Sequence, residues 1–454
     1  MLRLPIDQAV PGMRLALPVL HPAKPEHTLL KPGAALDQPG INRMREMRVR
    51  RIWIHYPPTN FLLQYASPKI IAEHGQMAGR LSECFDTVVG EAHAELEFGH
   101  YVDAVRSFAQ AILDEPNAAV FLGDVLDVAS PIVAHSTNVC YLSLLMALKL
   151  DGYLISERPW AGPRRAQNVE SLGVGAMLHD VGMLRLSKDV VEHFERSQDE
   201  NDINWQRHCA LGFDTVRGKV PPTAASAVLH HHQRMDGSGF PKRPRAMGPP
   251  RALKGSEIHV FARIIAMADV FDRVRNPPCS VRHGSVSHCP PKAPTVRALN
   301  HTLAMVRAGK LDPVIFKALL AVVPAFAPGS LVELSDGETC IVTGWDPLQP
   351  CRPTVHIILD PQDYRRVRGP HEDPPELGPQ IDLRKRRDVA IAVAEDQSVS
   401  GDVFESKVPG EFDLRFQFAG GIVVPPQAAG QPAGPNINAS PGLGAAPGAM
   451  RKAG

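Results

Sequence analysis

The spacing of apolar residues divides the chain into modules. In residues 1–66, "MRLALPV" and "RRIWIHY" have the alternating or continuous apolar character of strands, and "DQPGINRMREMRV" between them predicts a short helix. Apolar residues then recur at steps of three and four from Met77 to Leu113 without a proline. The pattern predicts a small α/β module at 1–66, followed by a helical linker at 67–115.

Residues 116–325 keep the helical spacing, and polar residues interrupt it at three places. One helix is predicted to begin at Ser130 and Pro131, because serine is a good N-cap and proline suits the first helical position. His135 lies one turn further on. The apolar stretch "ESLGVGAMLHDVGML" carries a His-Asp pair just before a glycine, and "EIHVFARIIAMADVFDRV" contains two aspartates. These residues are predicted to form a helical domain.

Strand patterns return after residue 325. The stretches "GSLVELSDGETCIVTGW" and "PTVHIILD" predict strands around an Asp-Gly turn, so 326–388 is predicted to be a small β-rich module. Residues 389–454 end in a stretch rich in proline, glycine and alanine, and they are predicted to be a largely disordered tail. The fold class is therefore predicted to be mainly α, with small α/β and β-rich modules on either side of a helical bundle.

Composition excludes several classes of function. The chain has 454 residues and a net charge of +1, so no strong field attracts a nucleic acid polymer or an acidic membrane. No apolar run approaches the ~20 residues of a membrane-spanning helix, and the N-terminus lacks a signal-peptide core. The seven cysteines are scattered, which favours a reducing compartment. We expect a cytoplasmic protein without a membrane or nucleic acid partner.

Histidines and aspartates are concentrated in the apolar segments that are predicted to be helical. A buried aspartate needs a partner, which is an arginine, a helix N-terminus or a metal ion. One histidine on an apolar face is usually a core residue that has found a hydrogen bond, but a cluster of such residues from several helices indicates a metal site. The cluster consists of His135, His179, Asp180, His208, His231, His232 and Asp269.

The donor types also indicate which metal the cluster would bind. Imidazole and carboxylate without thiolate favour iron or manganese over a structural zinc site. The adjacent pair His179-Asp180 can serve two ions, with the carboxylate as a bridge. Two ions ~3.5–4 Å apart stabilise the attacking and leaving oxygens of a displacement at phosphorus, and they lower the pKa of a bound water.

The order of these motifs resembles that of the HD-domain phosphohydrolases. "HHQRMDGSGFP" at 231–241 resembles the signature of the HD-GYP subfamily, whose members are bacterial cyclic di-GMP phosphodiesterases. "MLHDVGM" resembles that family's "LHDIGK", and "ARIIAMADVFDRV" resembles its "ARIIAVADVYDAL". The resemblance covers about 116–325, and it implies an HD-type helical bundle with two divalent transition-metal ions, most plausibly iron or manganese.

The resemblance also implies roles for individual residues. The seven clustered residues would be metal ligands, and Asp180 would be the catalytic residue that bridges the ions and orients a hydroxide. Gly239 and Phe240, in the glycine-rich turn, would bind substrate, because glycine lets the backbone pass close to a nucleotide. His230 would lie on another face of its helix.

This sequence departs from the family pattern at several positions. The family's lysine after "HDIG" is Met183, which removes a predicted cation beside the substrate phosphate, and the family's "HHE" ends here in Gln233. The loop after Asp272 is rebuilt, so basic residues there are lost or are replaced by Arg273, Arg275 or Arg282, of which Arg275 is the predicted substrate contact.

Three functions follow from the resemblance. The leading one is a metal-dependent phosphodiesterase that hydrolyses a cyclic dinucleotide, first of all cyclic di-GMP, in bacterial signalling. The second is a catalytically weakened domain that binds a nucleotide or a protein. The third is an HD phosphohydrolase that acts on another nucleotide. The expected partners are the cyclic dinucleotide and either a second copy of the chain or a signalling protein.

Overall fold

The computed structural model describes most of the chain in two units. The described residues are 1–90, 98–115, 128–244, 248–277, 280–282, 285–288, 290–360, 376–415, 418–419 and 422–423. One unit comprises Met1–Leu414, and the other comprises Arg415–Gly454, of which a short strand pair is described. Most of the predicted disordered tail, including all of 424–454, lies outside the described residues.

Helices make up most of the described structure. They are α1 (Gln38–Glu46), α2 (Pro68–Gly90), α3 (Phe98–Asp114), α4 (Pro131–Lys149), α5 (Asp151–Glu157), α6 (Pro163–Ala166), α7 (Glu170–Leu178), α8 (Lys188–Ser197), α9 (Ile203–Gln206), α10 (His208–Val216), α11 (Pro222–His230), α12 (Val260–Arg275), α13 (Thr295–Arg307) and α14 (Pro313–Val322). Short 3-10 segments lie at Ile6–Gln8, Pro57–Tyr65, Val181–Arg185 and Gly255–Glu257.

Strands occur at both ends of the chain and in one insertion. They are β1 (Leu2–Pro5), β2 (Val19–His21), β3 (Lys24–Leu30), β4 (Arg51–Ile54), β5 (Ser280–Arg282), β6 (Ser285–His288), β7 (Leu331–Leu334), β8 (Thr339–Gly344), β9 (Thr354–Ile358), β10 (Leu377–Asp382), β11 (Ile391–Ala394), β12 (Gln397–Ser398), β13 (Phe418–Ala419) and β14 (Ile422–Val423).

The N-terminal module is built from two antiparallel strand pairs and one helix. β1 pairs with β4, and β2 pairs with β3. Asp37 caps α1 by accepting a hydrogen bond from the backbone N–H of Gly40, as its position before a helical pattern predicts. The predicted strand in "RRIWIHY" is present as β4. In "MRLALPV", Val19 belongs to β2, whereas Arg14 and Leu15 form only isolated bridges with Ala35 and Ile54.

The helical bundle is centred on α4. This helix begins after Ser130 with Pro131 in its first turn, as predicted, and α7 and α12 pack against it. By length and apolar composition α4 could cross a membrane, but 67% of its apolar window is buried inside the protein. That burial is typical of a core helix. The side chains of α4 pack against those of α7 and α12.

A six-stranded antiparallel sheet follows the bundle. Its strand order is β10-β9-β8-β7-β11-β12. The predicted β-rich module ended at residue 388, but the sheet continues beyond that point because β11 pairs with β7. The predicted fold class, a mainly α protein with a helical bundle between a small α/β module and a β-rich module, is confirmed.

Candidate metal centre

Five different segments bring the seven predicted ligands together. His135 lies one turn into α4, and Asp269 lies in the middle of α12. The remaining ligands lie at helix ends, where the chain turns. They are His179 and Asp180 after α7, His208 at the start of α10, and His231 and His232 after α11. Six of the seven are buried and His135 is partly exposed, so the cluster forms a centre inside the bundle.

Four donor atoms form one group, which we call the first half-site: Nε2 of His135, Nε2 of His179, Oδ2 of Asp180 and Oδ1 of Asp269. The two imidazole nitrogens are 3.2 Å apart. Oδ1 of Asp269 is 3.0 Å from Nε2 of His135, and Oδ2 of Asp180 is 3.6 Å from Nε2 of His179. Donor atoms at such separations can all reach one ion.

Three further donor atoms form the second half-site: Oδ1 of Asp180, Nε2 of His208 and Nε2 of His231. Oδ1 of Asp180 is 3.6 Å from both imidazole nitrogens, which are 3.3 Å apart. The two oxygens of one carboxylate thus face two different groups of imidazoles. This is the arrangement expected of a carboxylate that bridges two ions.

Backbone carbonyls orient three of the imidazoles. Nδ1 of His179, His208 and His231 each donates to the carbonyl oxygen three residues earlier, at 2.7 Å in every case. A carbonyl can only accept a hydrogen bond, so Nδ1 carries the proton and Nε2 is left with its lone pair. Each Nε2 faces the cluster, which is the tautomer and orientation that a metal-binding histidine needs.

Several buried polar atoms of the cluster lack a hydrogen-bond partner among the described residues. They are Oδ1 of Asp180, Oδ2 of Asp269 and both ring nitrogens of His232. Leaving such atoms unpaired in a protein interior costs about 1–3 kcal/mol each, and more when the atom is charged. A divalent cation bound by these donors would remove that cost, so the residues present fit a metal.

Burial keeps three of the imidazoles neutral, which is the form that binds metal. It lowers the pKa of His179 to about 3 and that of His208 to about 4, and it holds the pKa of His232 well below its usual range. Burial and the charge of Arg273 act on His135 in the same direction, but its hydrogen bonds to Asp269 and Asp272 outweigh them and raise the pKa of His135 to about 9.

The two carboxylates are ionised. Burial alone would raise the pKa of Asp180 and of Asp269, but nearby imidazoles and the guanidinium of Arg273 hold both pKa values well below the usual range. Nη2 of Arg273 is 2.6 Å from Oδ2 of Asp180, and its Nε is 2.7 Å from Oδ1 of Asp269. An arginine partner, one of the alternatives left open by the sequence, is therefore present in addition to the histidines.

The predicted substrate contact Arg275 is not brought to the centre. Its guanidinium donates to Oε2 of Glu395 at 2.6 Å and to the carbonyl of Ala293. Two residues along a helix correspond to about 200°, so Arg275 and Arg273 leave α12 on nearly opposite sides. Arg273 is the member of this basic pair that reaches the cluster.

Gly239 and Phe240 have packing contacts that the sequence did not indicate. A Cβ on residue 239 would fall on the backbone of the segment from His232 to Arg234, so glycine is needed there for the turn to pack on its own chain. The ring of Phe240 is buried and stacks on His232, with ring centroids 4.6 Å apart. Gly239 thus packs against the backbone at His232, and Phe240 packs against the ring of His232. The substrate-binding role of both residues stays a prediction.

The two main departures from the family pattern also have structural explanations. Met183 packs beside the buried apolar cluster of Phe194, Trp205, Cys209 and Phe240. Gln233 donates from Nε2 to the carbonyl of Pro241 at 2.7 Å, and its Oε1 accepts from the backbone N–H of Leu253 at 2.9 Å. A glutamate could not make the first of these bonds while ionised.

His230 lies on another face of its helix, as expected. Its Nδ1 lies 3.2 Å from Oγ of Ser226, and Nη2 of Arg243 lies 3.0 Å from its Nε2. It therefore takes no part in either half-site.

Two residues beside the cluster were not predicted from the sequence. Oδ2 of Asp272 is 2.7 Å from Nδ1 of His135, so this aspartate orients an imidazole that no backbone carbonyl holds. The sequence feature that could have identified Asp272 is its spacing of three residues from Asp269. The thiol of Cys209 lies 3.5 Å from Nε2 of His208, and burial raises the pKa of this cysteine well above its usual range, so it is a neutral thiol.

With this geometry established, comparisons with known proteins place the chain. Residues 163–285 match the family model described as "HD domain". The chain is therefore similar to HD-domain proteins over this range. The matched range contains six of the seven clustered residues, and His135 on α4 lies before it.

The most similar relatives include several phosphodiesterases. A cyclic di-GMP phosphodiesterase from Pseudomonas aeruginosa is 24% identical over 352 residues, which cover 70% of this chain and 76% of that protein. A 3'3'-cGAMP-specific phosphodiesterase from Vibrio cholerae is 31% identical over 153 residues, which cover 33% of this chain and 28% of the relative. A cyclic di-GMP phosphodiesterase from Thermotoga maritima is 30% identical over 107 residues, which cover 23% and 27%. At these identities, the chain is a divergent relative of these phosphodiesterases.

Proposed function

We propose that this chain hydrolyses a cyclic dinucleotide in bacterial second-messenger signalling, with cyclic di-GMP as the first substrate to test. The HD domain and its phosphodiesterase relatives bear out the coarser class, an HD-type metal-dependent phosphodiesterase. The subfamily, HD-GYP, and the dinucleotide are the parts that we propose.

The observation that carries the proposal is the position of Asp180. Its two carboxylate oxygens face two separate groups of imidazoles, and Oδ1 has no hydrogen-bond partner among the described residues. We infer that the centre holds two divalent ions, iron or manganese, with Asp180 between them. Imidazole and carboxylate donors favour these metals.

The protein contributes orientation and charge balance to this chemistry. When bound, the two ions would lower the pKa of a water molecule and neutralise the phosphodiester on which it acts. The backbone carbonyls at Ala176, Trp205 and Val228 keep three imidazole rings in the metal-binding tautomer, and Asp272 does the same for His135. Holding the donors before substrate arrives avoids a reorganisation cost during the reaction.

A specific observation also favours the weakened, nucleotide-binding alternative. Met183 stands where the family has a lysine, and it packs beside apolar side chains. A methionine offers no charge to a phosphate, and one charge-assisted hydrogen bond contributes about 1.5–3 kcal/mol. The relatives that act on 3'3'-cGAMP leave the choice of dinucleotide as part of the test.

The experiment compares substrates on the full chain loaded with manganese or iron. Cyclic di-GMP and 3'3'-cGAMP are incubated separately, and the linear product is identified by mass, with Asp180→Asn as the matched variant that keeps the shape and loses the charge. We expect hydrolysis of cyclic di-GMP by the wild type and a loss of at least about a hundredfold in Asp180→Asn, since a metal ligand is removed. Binding of either dinucleotide without cleavage would replace the enzyme with the nucleotide-binding alternative.

Cytoplasmic location and a partner protein or second copy stay predictions from the sequence.

A further inference from the structure

Arg273 places a permanent positive charge on one half of the metal centre. Its guanidinium contacts Oδ2 of Asp180 at 2.6 Å and Oδ1 of Asp269 at 2.7 Å. These are the two carboxylate oxygens of the first half-site, so the arginine binds the same atoms that a metal ion would bind there. Arginine stays protonated at any ordinary pH.

The position of this side chain is fixed by its surroundings. Its guanidinium lies 5.8 Å from the ring centroid of Phe194 and 6.0 Å from that of Trp205, and the side chain is 20% exposed. Arg273 also follows Asp269 by one helical turn on α12, so both groups lie on the same face of one rigid element. The contact is therefore built into the bundle.

The second half-site has no such cation among the described residues. Oδ1 of Asp180 faces His208 and His231 at 3.6 Å and has no hydrogen-bond partner, in contrast to Oδ2 of the same carboxylate. The two half-sites therefore differ in charge before any metal binds. One has its carboxylate oxygens paired with a guanidinium, whereas the other presents an unpaired carboxylate oxygen and two imidazoles.

We propose that Arg273 competes with metal for the first half-site, so that the two ions of the proposed centre bind with unequal affinity. The second half-site loads first. The first loads only when the guanidinium leaves both carboxylates, because two cations cannot share the same oxygens. This inference rests on the metal centre of the proposed function and adds an order of loading to it.

The test is a manganese titration of chelator-cleared full-length protein by calorimetry, with the bound metal counted by elemental analysis. For the wild type we expect one tight and one weak class of site. Arg273→Met keeps much of the side-chain length and removes the charge. It should tighten manganese binding at the weak class of site by roughly ten- to a hundredfold, because manganese no longer has to displace one or two charge-assisted hydrogen bonds. Arg273→Lys should stay close to the wild type. Arg217→Met, at an exposed arginine paired with Asp214, controls for the change in net charge.

Thermal unfolding gives a second readout that does not depend on activity. Without metal, Arg273→Met should melt below the wild type, because two buried carboxylates lose their cation. With saturating manganese it should gain more in Tm than the wild type, because a ligand that binds only the folded state stabilises it according to its affinity.

Ligand variants keep the proposal testable if Arg273→Met does not fold. His135→Gln should remove the weak class of site and spare the tight one, whereas His231→Gln should do the reverse. Equal affinities at both sites in the wild type, or an unchanged weak class in folded Arg273→Met, would overturn the proposal. Unequal loading without cleavage of any cyclic dinucleotide would instead overturn the proposed function and leave this inference standing.

Discussion

Gln233 shows how a single side chain can support the metal centre without touching it. It donates to the carbonyl of Pro241 and accepts from the N–H of Leu253, so it ties the turn after His232 to a distant part of the chain. An amide both donates and accepts, whereas an ionised carboxylate can only accept.

Gln233→Glu is therefore expected to destabilise the protein by about 1–3 kcal/mol, since a buried carbonyl loses its donor and meets a carboxylate. Urea unfolding at pH 7 measures the change. The same substitution at Gln38, exposed at the start of α1, should alter stability by about 0.5 kcal/mol or less. Equal effects at the two positions would show that the two hydrogen bonds of Gln233 contribute nothing.

The clustered residues could be predicted from the sequence, and the groups that orient them could not. His179, His208 and His231 stood out as histidines in apolar helical text. The carbonyls that hold their rings belong to Ala176, Trp205 and Val228, whose side chains carry no signal of that role. A basic pattern on a helix does not indicate which face meets the neighbouring helices, so the sequence could not tell that Arg273 rather than Arg275 reaches the cluster. The substrate contact of Arg275 stays a prediction.

At the scale of elements, the centre depends on how closely the turn after α7 approaches α10. Gly182 lies in the 3-10 turn Val181–Arg185, two residues after Asp180. A Cβ there would fall on the carbonyl oxygen of His208 and lie 2.5 Å from the backbone nitrogen of Gly212. The absence of a side chain thus sets the distance between Asp180 and His208.

We expect Gly182→Ala to lower stability by about 2 kcal/mol or more and to weaken manganese binding, because the backbone of one element must move away from the other. Gly162→Ala is the matched control, since nothing lies within 4 Å of a Cβ at that position. Melting curves with and without manganese measure both effects. A Gly182→Ala protein as stable as Gly162→Ala, with wild-type metal affinity, would refute the close approach.

The helices α4, α7 and α12 could be predicted because their apolar spacing and their starting residues are local signals. The close approach at Gly182 involves α10, which begins 26 residues further along the chain, and local spacing contains no information about it. The same reason explains why the sheet was predicted to end too early. β11 is short, and it becomes a strand through its pairing with β7 and β12.

On the scale of the whole molecule, Glu395 connects the sheet to the bundle and to the N-terminal module. It accepts from Arg275 at 2.6 Å and from the backbone and hydroxyl of Thr295 at 3.0 Å, and it lies 3.8 Å from Arg3. Its side chain is 9% exposed. The helix α12, which carries Asp269 and Arg273, is thereby attached at its C-terminal end to β11 of the sheet.

Glu395→Gln should destabilise the protein by about 3 kcal/mol, because breaking a buried ion pair leaves charged partners without compensation. Asp396→Asn changes the neighbouring carboxylate, which is 60% exposed in its pair with Arg51, and it should cost about 1 kcal/mol or less. Chemical unfolding monitored by fluorescence and circular dichroism measures both. Similar small losses in the two variants would show that Glu395 does not hold these modules together.

The central claim, that the histidine-aspartate cluster is a hydrolytic metal centre, is tested most directly by the metal dependence of turnover. Chelator-cleared full-length protein is titrated with manganese while the release of linear dinucleotide from cyclic di-GMP is followed, with Asp180→Asn in parallel. We expect the wild type to form no product without metal and to turn over faster as the second equivalent of metal binds. In Asp180→Asn, we expect no such rise in rate. Product formed equally well in the absence of metal, or by Asp180→Asn as fast as by the wild type, would contradict it.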